Sequence, residues 1–292
     1  LFLAGNVQEQ NAQGRSLEAL PYRAKGYPFG PIFSLVLCLT VILGQNYTAF
    51  TRGPVDWEGL LVSRWREEPV KDNWGSAVYI RDVLADRLWS AAYHPCRAEP
   101  LEQRIAFEQG KAVFERKDGA VATRMEICVS PEADAEVRRI TLKNTGGERK
   151  VLEVTTFVEL ALASPIADDA HPAFSKLFIR TAYDEGSGCL VAGRRKREAK
   201  DRELWAAHLL AAEDHALGPA EFETDRAAFV GRGHTLAEPQ AIRARLQGKT
   251  GSVADPAFVM RRRIQLEPGE QVSLYAVTSA AESREDAVNI AA

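Results

Sequence analysis

From about residue 57 onward, large apolar and polar residues alternate with a period of two, and this limits the fold more than any other feature. In residues 121–129, Met125, Ile127 and Val129 alternate with polar or small side chains. This period is typical of a β-strand that buries one of its faces. The same kind of pattern predicts further strands at 76–83, 86–92, 103–108, 111–116, 140–143, 151–158, 175–182, 204–210, 257–266 and 271–278.

Turn signals separate the predicted strands, since residues that favour turns cluster between them. Such clusters lie at 117–119, 144–147, 186–188 and 267–270. The cluster at 144–147 predicts a hairpin that joins the strand at 140–143 to the strand at 151–158.

Helical patterns are scarce. Residues 237–247 predict one short helix that starts near Pro239, and Ser283 predicts the N-cap of a helix with acidic residues in its first turn. Many short strands with few short helices indicate an all-β fold, a large antiparallel sandwich. No glycine-rich loop links a predicted strand to a predicted helix, so a Rossmann or P-loop nucleotide site is not supported.

Composition points to an ordinary globular protein rather than one that binds nucleic acid. The 292 residues are 46% hydrophobic and 26% charged, with a formal net charge of −3. This slight acidity argues against a partner with a phosphate backbone. The basic run at 261–263 alternates with apolar residues, so Arg261 and Arg263 are expected on the solvent side of a strand.

The four cysteines, Cys38, Cys96, Cys128 and Cys189, are widely and irregularly spaced. No CxxC pair or histidine lies at the spacing of metal ligands, so neither a zinc site nor a disulfide framework is predicted. A reducing, cytoplasmic compartment is therefore the expected location.

The first 55 residues differ from the rest. Residues 1–26 are polar and without pattern, whereas residues 29–44 form an uncharged apolar run. The run is shorter than the roughly 18 to 20 residues that a membrane-spanning helix needs. A buried strand pair, an interfacial segment and a short anchor in the inner membrane all stay open. We therefore expect an atypical segment at 1–55, a β-domain at 56–282 and the start of a linker helix at 283–292.

Several stretches, taken in chain order, resemble one family. They are WREE at 65–68, DNWGS at 72–76, VRRITL at 137–142 followed by Asn144, DAHPAFSKLF at 169–178, ETDRAAFVGRG at 223–233 and DPAF at 255–258. This ordered set resembles the glycosyltransferase family 36 region, which is grouped with glycoside hydrolase family 94. It looks closest to cyclic β-1,2-glucan synthases and is more distantly similar to cellobiose and chitobiose phosphorylases. The resemblance covers about residues 57–290, and the first 55 residues depart from it.

The resemblance implies a galactose-mutarotase-like β-supersandwich, followed in the family by a helical linker and an (α/α)6 barrel that carries the catalytic Asp. Because the chain ends at Ala292 as a helix begins, we expect the barrel to be missing and no catalytic residue to lie in this chain. The expected function is a non-catalytic, carbohydrate-binding domain that supports the barrel of a β-glucan-acting glycosyltransferase or phosphorylase. A stand-alone β-glucan-binding module and an inactive truncated fragment are the alternatives.

The resemblance also limits the partners. A β-glucan or another glucose-containing carbohydrate and a helical barrel are expected. A homodimer stays open, and so does the question of whether this chain is itself an enzyme. Inorganic phosphate is the co-substrate that the phosphorylases imply, and no cofactor is expected.

The stretch at 167–178 places two acids, Asp168 and Asp169, beside His171. Acids that are neighbours in one loop cannot stand on the two sides of a glycosidic bond, so catalysis by this cluster alone is not expected. Pro172 biases His171 towards an extended backbone. We therefore interpret the stretch as a structural bend at the entrance to a strand, with Asp169 and His171 as sugar contacts. The apolar side chains that it would lead into the sheet are Phe174, Leu177 and Ile179.

Aromatic and basic residues complete the candidate site. Trp74 can stack on the flat apolar face of a glucose ring or pack in the core. Arg226 either joins a carboxylate in a polar network or, like Arg232, reaches a sugar or phosphate in a neighbouring barrel. The predicted carbohydrate-binding residues are thus Trp74, Asp169, His171, Arg226 and Arg232, and no metal ligands are predicted. For another tryptophan, Trp89, core packing is favoured.

Overall fold

Two antiparallel sheets stack face to face in the residues that the computed structural model describes, which are 56–57, 59–64, 75–196 and 202–292. The apolar run at 29–44 and the predicted site residue Trp74 lie outside the described residues. The all-β antiparallel supersandwich predicted from the sequence is confirmed.

The smaller sheet has seven strands in the described part of the chain. The strands are β1 (Asp56–Trp57), β2 (Leu60–Ser63), β3 (Ser76–Asp82), β4 (Arg87–Ser90), β9 (Lys150–Ala163), β13 (Glu221–Asp225) and β14 (Pro256–Leu266). The central strand, β9, pairs with β14 along one edge and with β3 and then β2 along the other.

The larger sheet has eight strands among the described residues, in the spatial order β10-β11-β12-β15-β8-β7-β6-β5. The strands are β5 (Glu102–Glu108), β6 (Lys111–Asp118), β7 (Val121–Val129), β8 (Ala135–Asn144), β10 (Ile179–Asp184), β11 (Cys189–Arg194), β12 (Trp205–Ala212) and β15 (Gln271–Ala281). The described helices are α1 (Pro165–Ala170), α2 (Pro172–Lys176), α3 (Arg226–Val230) and α4 (Arg284–Ala291), with a 3-10 helix at Gln240–Arg243.

The main hydrophobic core fills the space between the sheets and includes Trp89, as predicted. A second apolar cluster lies on the outer side of the smaller sheet, under α3 and the 3-10 helix. A third lies on the outer side of the larger sheet, where α4 buries Ala287 and Ala291. The central strands are therefore covered on both faces, and β9 is buried at every position from Leu152 to Ala163.

The helix predicted at Ser283 is confirmed. The hydroxyl of Ser283 accepts a hydrogen bond from the backbone N of Asp286 at 3.0 Å and caps α4. The role of α4 as the start of a linker stays a prediction. The helix predicted within 237–247 is shorter than expected, a single 3-10 turn. Across the described ranges, no helix has the length and apolar content needed to cross a membrane.

The predicted hairpin between the strands at 140–143 and 151–158 is wrong. These residues belong to β8 and β9, which lie in different sheets, so the turn between them carries the chain from one sheet to the other. A hairpin and a crossing both need residues that favour turns, so the local sequence does not distinguish them.

Asn144 joins this crossing to a second one. Its Nδ2 donates to the carbonyl oxygens of Glu148 at 2.8 Å and Leu266 at 3.1 Å, and its Oδ1 accepts from the N of Gly146 at 3.0 Å. Its backbone N and O also bond to the turn at 267–270, at 2.9 and 3.0 Å. That turn leads from β14 to β15 and so also passes between the sheets. The fully buried Asn144 thus closes the corner where two crossings meet.

The strand predicted at 175–182 begins only at Ile179, and the preceding residues form α1 and α2. Phe174 and Leu177 do not enter the sheet, since they are 52% and 55% exposed, whereas Ile179 is buried. A proline at the first position of each helix suits a helix start, because that position needs no N–H donor. The extended backbone that proline favours in the residue before it does not predict a helix that starts at the proline itself.

The expectation that Arg261 faces solvent is also wrong. Its guanidinium donates to the carbonyl oxygens of Ala244 at 2.7 Å and Ala241 at 2.8 Å, on the loop that covers the outer side of the smaller sheet. This burial lowers the pKa of Arg261. Arg263 lies on the same face of β14 and is about half exposed, as expected.

His208 forms a buried polar link between the sheets. Its Nε2 lies 2.9 Å from Oγ1 of Thr156 in β9, and its Nδ1 lies 2.9 Å from Oγ1 of Thr278 in β15. The ring also stacks on Phe258, with centroids 5.9 Å apart. Burial, with a smaller contribution from the charge of Arg138, lowers the pKa of His208 to about 3. The imidazole is therefore neutral at neutral pH.

Replacing Asn144 with alanine should lower the free energy of unfolding by about 2–4 kcal/mol, because buried backbone groups lose their hydrogen-bond partners. Urea unfolding followed by circular dichroism measures the change. Thr145→Ala is the matched control, since its exposed hydroxyl donates to the carbonyl oxygen of Ala120, and its loss should cost less than about 0.5 kcal/mol. Equal losses in the two variants would contradict the role assigned to Asn144.

Stability should fall with acidification because of His208. Below pH 6.5 the unfolded chain binds a proton at this residue, whereas the folded chain does so only near pH 3. The free energy of unfolding should therefore decrease by about 2 kcal/mol between pH 7 and pH 5 from this residue alone. Denaturant titrations at the two pH values measure the change. The decrease in the free energy of unfolding should be about 2 kcal/mol smaller in His208→Gln than in the wild type. His234→Gln, at an exposed histidine, should behave as the wild type; a parallel decrease in all three proteins sinks the prediction.

Candidate functional site

Six charged side chains gather where β9 leads into α1 and α2. Three are cations and three are carboxylates, and no more than 6% of the surface of Arg64, Glu159, Asp168 or Lys176 is exposed. The side chain of Ser164 accepts a hydrogen bond from the backbone of Ala167 and caps α1, which carries one of the carboxylates. We call the six residues the charge network: Arg64, Glu159, Asp168, Lys176, Arg226 and Asp255.

Asp168 is held by Arg64 through two hydrogen bonds. Nε of Arg64 donates to Oδ2 of Asp168 at 2.8 Å, and Nη2 donates to Oδ1. Nη1 of the same guanidinium donates to Oε1 of Glu159 at 3.2 Å. Burial opposes the charge of Arg64, but the hydrogen bond and charge of Asp168, with the charges of Glu159 and Asp255, outweigh it and raise the pKa of Arg64. The bidentate pairing with Arg64 holds both carboxylate oxygens of Asp168 as hydrogen-bond acceptors.

Glu159 lies at the centre of the charge network. Its Oε1 also accepts from Nζ of Lys176 at 3.0 Å, and Lys176 donates in addition to Oδ1 of Asp255. Nη1 of Arg226 donates to Oδ2 of Asp255 at 3.3 Å, and its Nε lies 3.8 Å from Oε2 of Glu159. Within the described residues, neither of these last two buried atoms has a hydrogen-bond partner, so they attract each other only as charges.

The charge network orders the elements that meet here but is not arranged for acid–base catalysis. A general acid must reach the atom that it protonates. The carboxylates of Asp168 and Glu159 are buried and already paired with cations. Of the six side chains, Arg226 and Asp255 reach the surface most, at 28% and 27% exposure. No group of three His, Cys, Asp or Glu side chains in the described ranges is placed to hold a metal ion.

The predicted carbohydrate-binding residues are only partly brought together. Asp169 is exposed on α1, and His171 is exposed at the junction of α1 and α2. Arg226 takes part in a polar network, which was one of its two interpretations. Arg232 lies on an exposed turn after α3, and no hydrogen bond of the described chain ties it to the charge network. Trp74 lies outside the described residues. A sugar contact by any of these five stays a prediction.

Sequence reasoning missed four members of the charge network, although the sequence carries a signal for three of them. Glu159 is a lone acid inside the apolar run at 157–163, and such a residue must find a partner when both faces of its strand are covered. Lys176 and Asp255 fall within two of the family-like motifs. Arg64 has no such signal.

A second feature is an open groove of about 600 Å³ between the inner face of β5 to β8 and the start of β3 in the smaller sheet. Ile105, Phe107 and Phe114 line it, and Phe107 is 77% exposed. Arg138 of β8 lies at its base, and the loop at 92–95 forms its rim. The sequence did not indicate this groove, because alternation shows which side chains share a face but not whether another sheet covers them.

Stacked antiparallel sheets with helices on their outer sides define the chain as a β-supersandwich domain of the kind found in carbohydrate-active enzymes. The family model described as "Glycosyl hydrolase 94, supersandwich domain" matches residues 48–292, and the chain belongs to this family.

Two enzymes illustrate what the chain is similar to. It is 36% identical over 253 residues to the cyclic beta-(1,2)-glucan synthase NdvB of Rhizobium meliloti (strain 1021), an alignment that covers 84% of this chain and 9% of NdvB. It is 23% identical over 212 residues to the solabiose phosphorylase of Paenibacillus borealis, covering 72% of this chain and 26% of that enzyme. The chain therefore spans a minor part of the length of both relatives.

The beginning of the chain has different relatives. Residues 3–62 match a second family model, described as "Amino acid permease", which includes the apolar run at 29–44. Over 48 residues the chain is 50% identical to the lysine-specific permease LysP of Escherichia coli (strain K12), covering 16% of this chain and 10% of LysP. The two family matches overlap at 48–62.

Replacing Asp168 with asparagine should lower the free energy of unfolding by about 3–5 kcal/mol, because the buried Arg64 loses its main counter-charge. Thermal and urea unfolding measure the loss. Asp169→Asn changes the same chemical group one residue further on, at an exposed position, and should cost at most about 1 kcal/mol. A comparable loss from Asp169→Asn would show that the charge network does not hold this region together.

Proposed function

We propose that this chain is a non-catalytic, carbohydrate-binding supersandwich domain of a β-glucan-acting glycosyltransferase or phosphorylase, and that it supports an (α/α)6 catalytic barrel which the described residues do not include. The observation that carries the proposal is the similarity to NdvB, in which 84% of this chain aligns with 9% of that synthase. A domain that corresponds to so small a share leaves most of the enzyme to supply the reaction.

The charge network supports a non-catalytic role. Transfer or phosphorolysis of a β-glucosidic bond needs a carboxyl group that protonates the leaving oxygen. In phosphorolysis, inorganic phosphate is the nucleophile, so a single protein acid is enough. Asp168 and Glu159 are committed to Arg64 and Lys176, and in the proposal the acid comes from the barrel.

The surface of α1 and α2 suits contact with a second domain. Ile166 is 82% exposed and Phe174 is 52% exposed, and both lie close in sequence to Asp169 and His171. Exposed apolar side chains beside polar ones are typical of surfaces that pack against another domain. The charge network beneath holds both helices in place, so the proposed sugar contacts by Asp169 and His171 would lie at the edge of a cleft shared with the barrel.

Two other functions have an observation in their favour. A stand-alone glucan-binding module is favoured by the exposed aromatic ring of Phe107. An inactive fragment is favoured by the separate match of residues 3–62 to a permease family. The match also keeps open an inner-membrane association of an otherwise cytoplasmic domain. Sequencing the DNA on both sides of the coding region distinguishes these cases, since a reading frame for a barrel after codon 292 supports the proposed domain role.

The purified chain should release no glucose 1-phosphate from a β-1,2-glucan and inorganic phosphate, because the proposed acid is not part of it. A coupled assay for glucose 1-phosphate measures this, with a barrel-containing phosphorylase and its own substrate as the positive control. Release by this chain alone would contradict the non-catalytic role. Calorimetry with the same glucan tests the carbohydrate-binding role, which requires measurable binding.

A further inference from the structure

The open groove exposes apolar side chains on one face of an edge strand. β5 is the last strand of the larger sheet, and Ile105 and Phe107 point into the groove with 49% and 77% of their surface exposed. The alternate residues of β5, such as Arg104 and Glu108, point to the opposite face. The exposed apolar surface is therefore concentrated on the groove side, where a ligand that covered it would gain stability.

The base of the groove is charged and held in place. Nε of Arg138 donates to Oε1 of Glu136 at 2.6 Å, and its Nη2 donates to Oγ of Ser76. Glu136 is 5% exposed, and the side chain of Arg138 is 11% exposed. Within the described residues, Nη1 of Arg138 and Oε2 of Glu136 form no hydrogen bond with protein atoms, so a donor and an acceptor are both available to a ligand.

Aromatic walls with a donor and an acceptor at the base fit a neutral pyranose. The C–H face of the ring packs on an aromatic side chain, and its hydroxyl groups both donate and accept hydrogen bonds. An apolar peptide would cover Phe107 but leave the charges of Arg138 and Glu136 buried without new partners, which is costly. An anion would approach the carboxylate of Glu136. The volume of about 600 Å³ lies within the range of small-molecule sites.

We propose that this groove binds a glucose unit of a β-glucan chain, with the sugar ring on Phe107 and its hydroxyl groups at Arg138 and Glu136. The inference rests on the proposed function, because it assumes that the domain binds glucan. It differs from the sequence prediction in placing the contact on β5 to β8 rather than at Asp169 and His171.

Isothermal titration calorimetry of the complete chain with a short linear β-1,2-glucan oligosaccharide tests the inference. Phe107→Ala should weaken binding about tenfold, whereas Phe107→Trp should preserve it. The control is Leu84→Ala, which removes another exposed apolar side chain, on the turn between β3 and β4, and should leave the affinity unchanged. Arg138→Gln should also weaken binding, and its thermal unfolding temperature shows whether the variant is folded. Because Phe107 is exposed, its variants are expected to fold as the wild type does.

Two contrary results have different meanings. If the wild type binds the oligosaccharide and Phe107→Ala binds it equally well, the groove is not the site, while the carbohydrate-binding function stands. Loss of binding in Asp169→Asn or His171→Gln would then support the surface of α1 and α2 instead. If the wild type shows no binding at all, both the carbohydrate-binding function and the groove are overturned.

Discussion

The side chain of Asn144 connects the two turns by which the chain passes between the sheets. Its amide bonds to Glu148 on the β8–β9 turn and to Leu266 at the end of β14, and its backbone bonds to the 267–270 turn. Because it is fully buried, water cannot replace these partners. The relative position of the two sheets at this corner therefore depends on one polar side chain rather than on apolar packing alone.

The long strand β9 leads from that corner and contacts both the core and the charge network. Its alternate residues point to opposite faces, so Thr156 reaches His208 in the core while Glu159 reaches the charge network outside. The first contact ties the sheets together without a charge. The second orders α1 and α2 with charges that balance one another. At the edge of the larger sheet, Ile105 and Phe107 of β5 stay exposed and line the open groove.

The pattern of the sequence predicted most of the strands, but it missed two strands of the described chain that lack alternation, β11 and β13. β7 alternates in sequence and was predicted at its observed bounds, 121–129. β11 was missed because both of its faces are covered, so its residues do not alternate. β13 was missed because it buries the polar residues Glu223 and Thr224, whose Oε1 and hydroxyl group form hydrogen bonds with backbone groups. Arg261 lies on the face predicted for it but is buried, because the segment at 241–244 covers that part of the face.

The sequence by itself determined the all-β class, most strands, the cap of α4 and the resemblance to the family, since each depends on residues close together in the chain or on motifs in order. Only the tertiary structure decided which sheet each strand joins, that Asp168 is paired with Arg64 and that Phe107 is exposed. These properties depend on contacts between residues far apart in the chain, and neither period nor turn chemistry encodes such contacts. The sequence therefore indicated the region of the candidate site around 167–178, while the fold determined how its charged side chains pair.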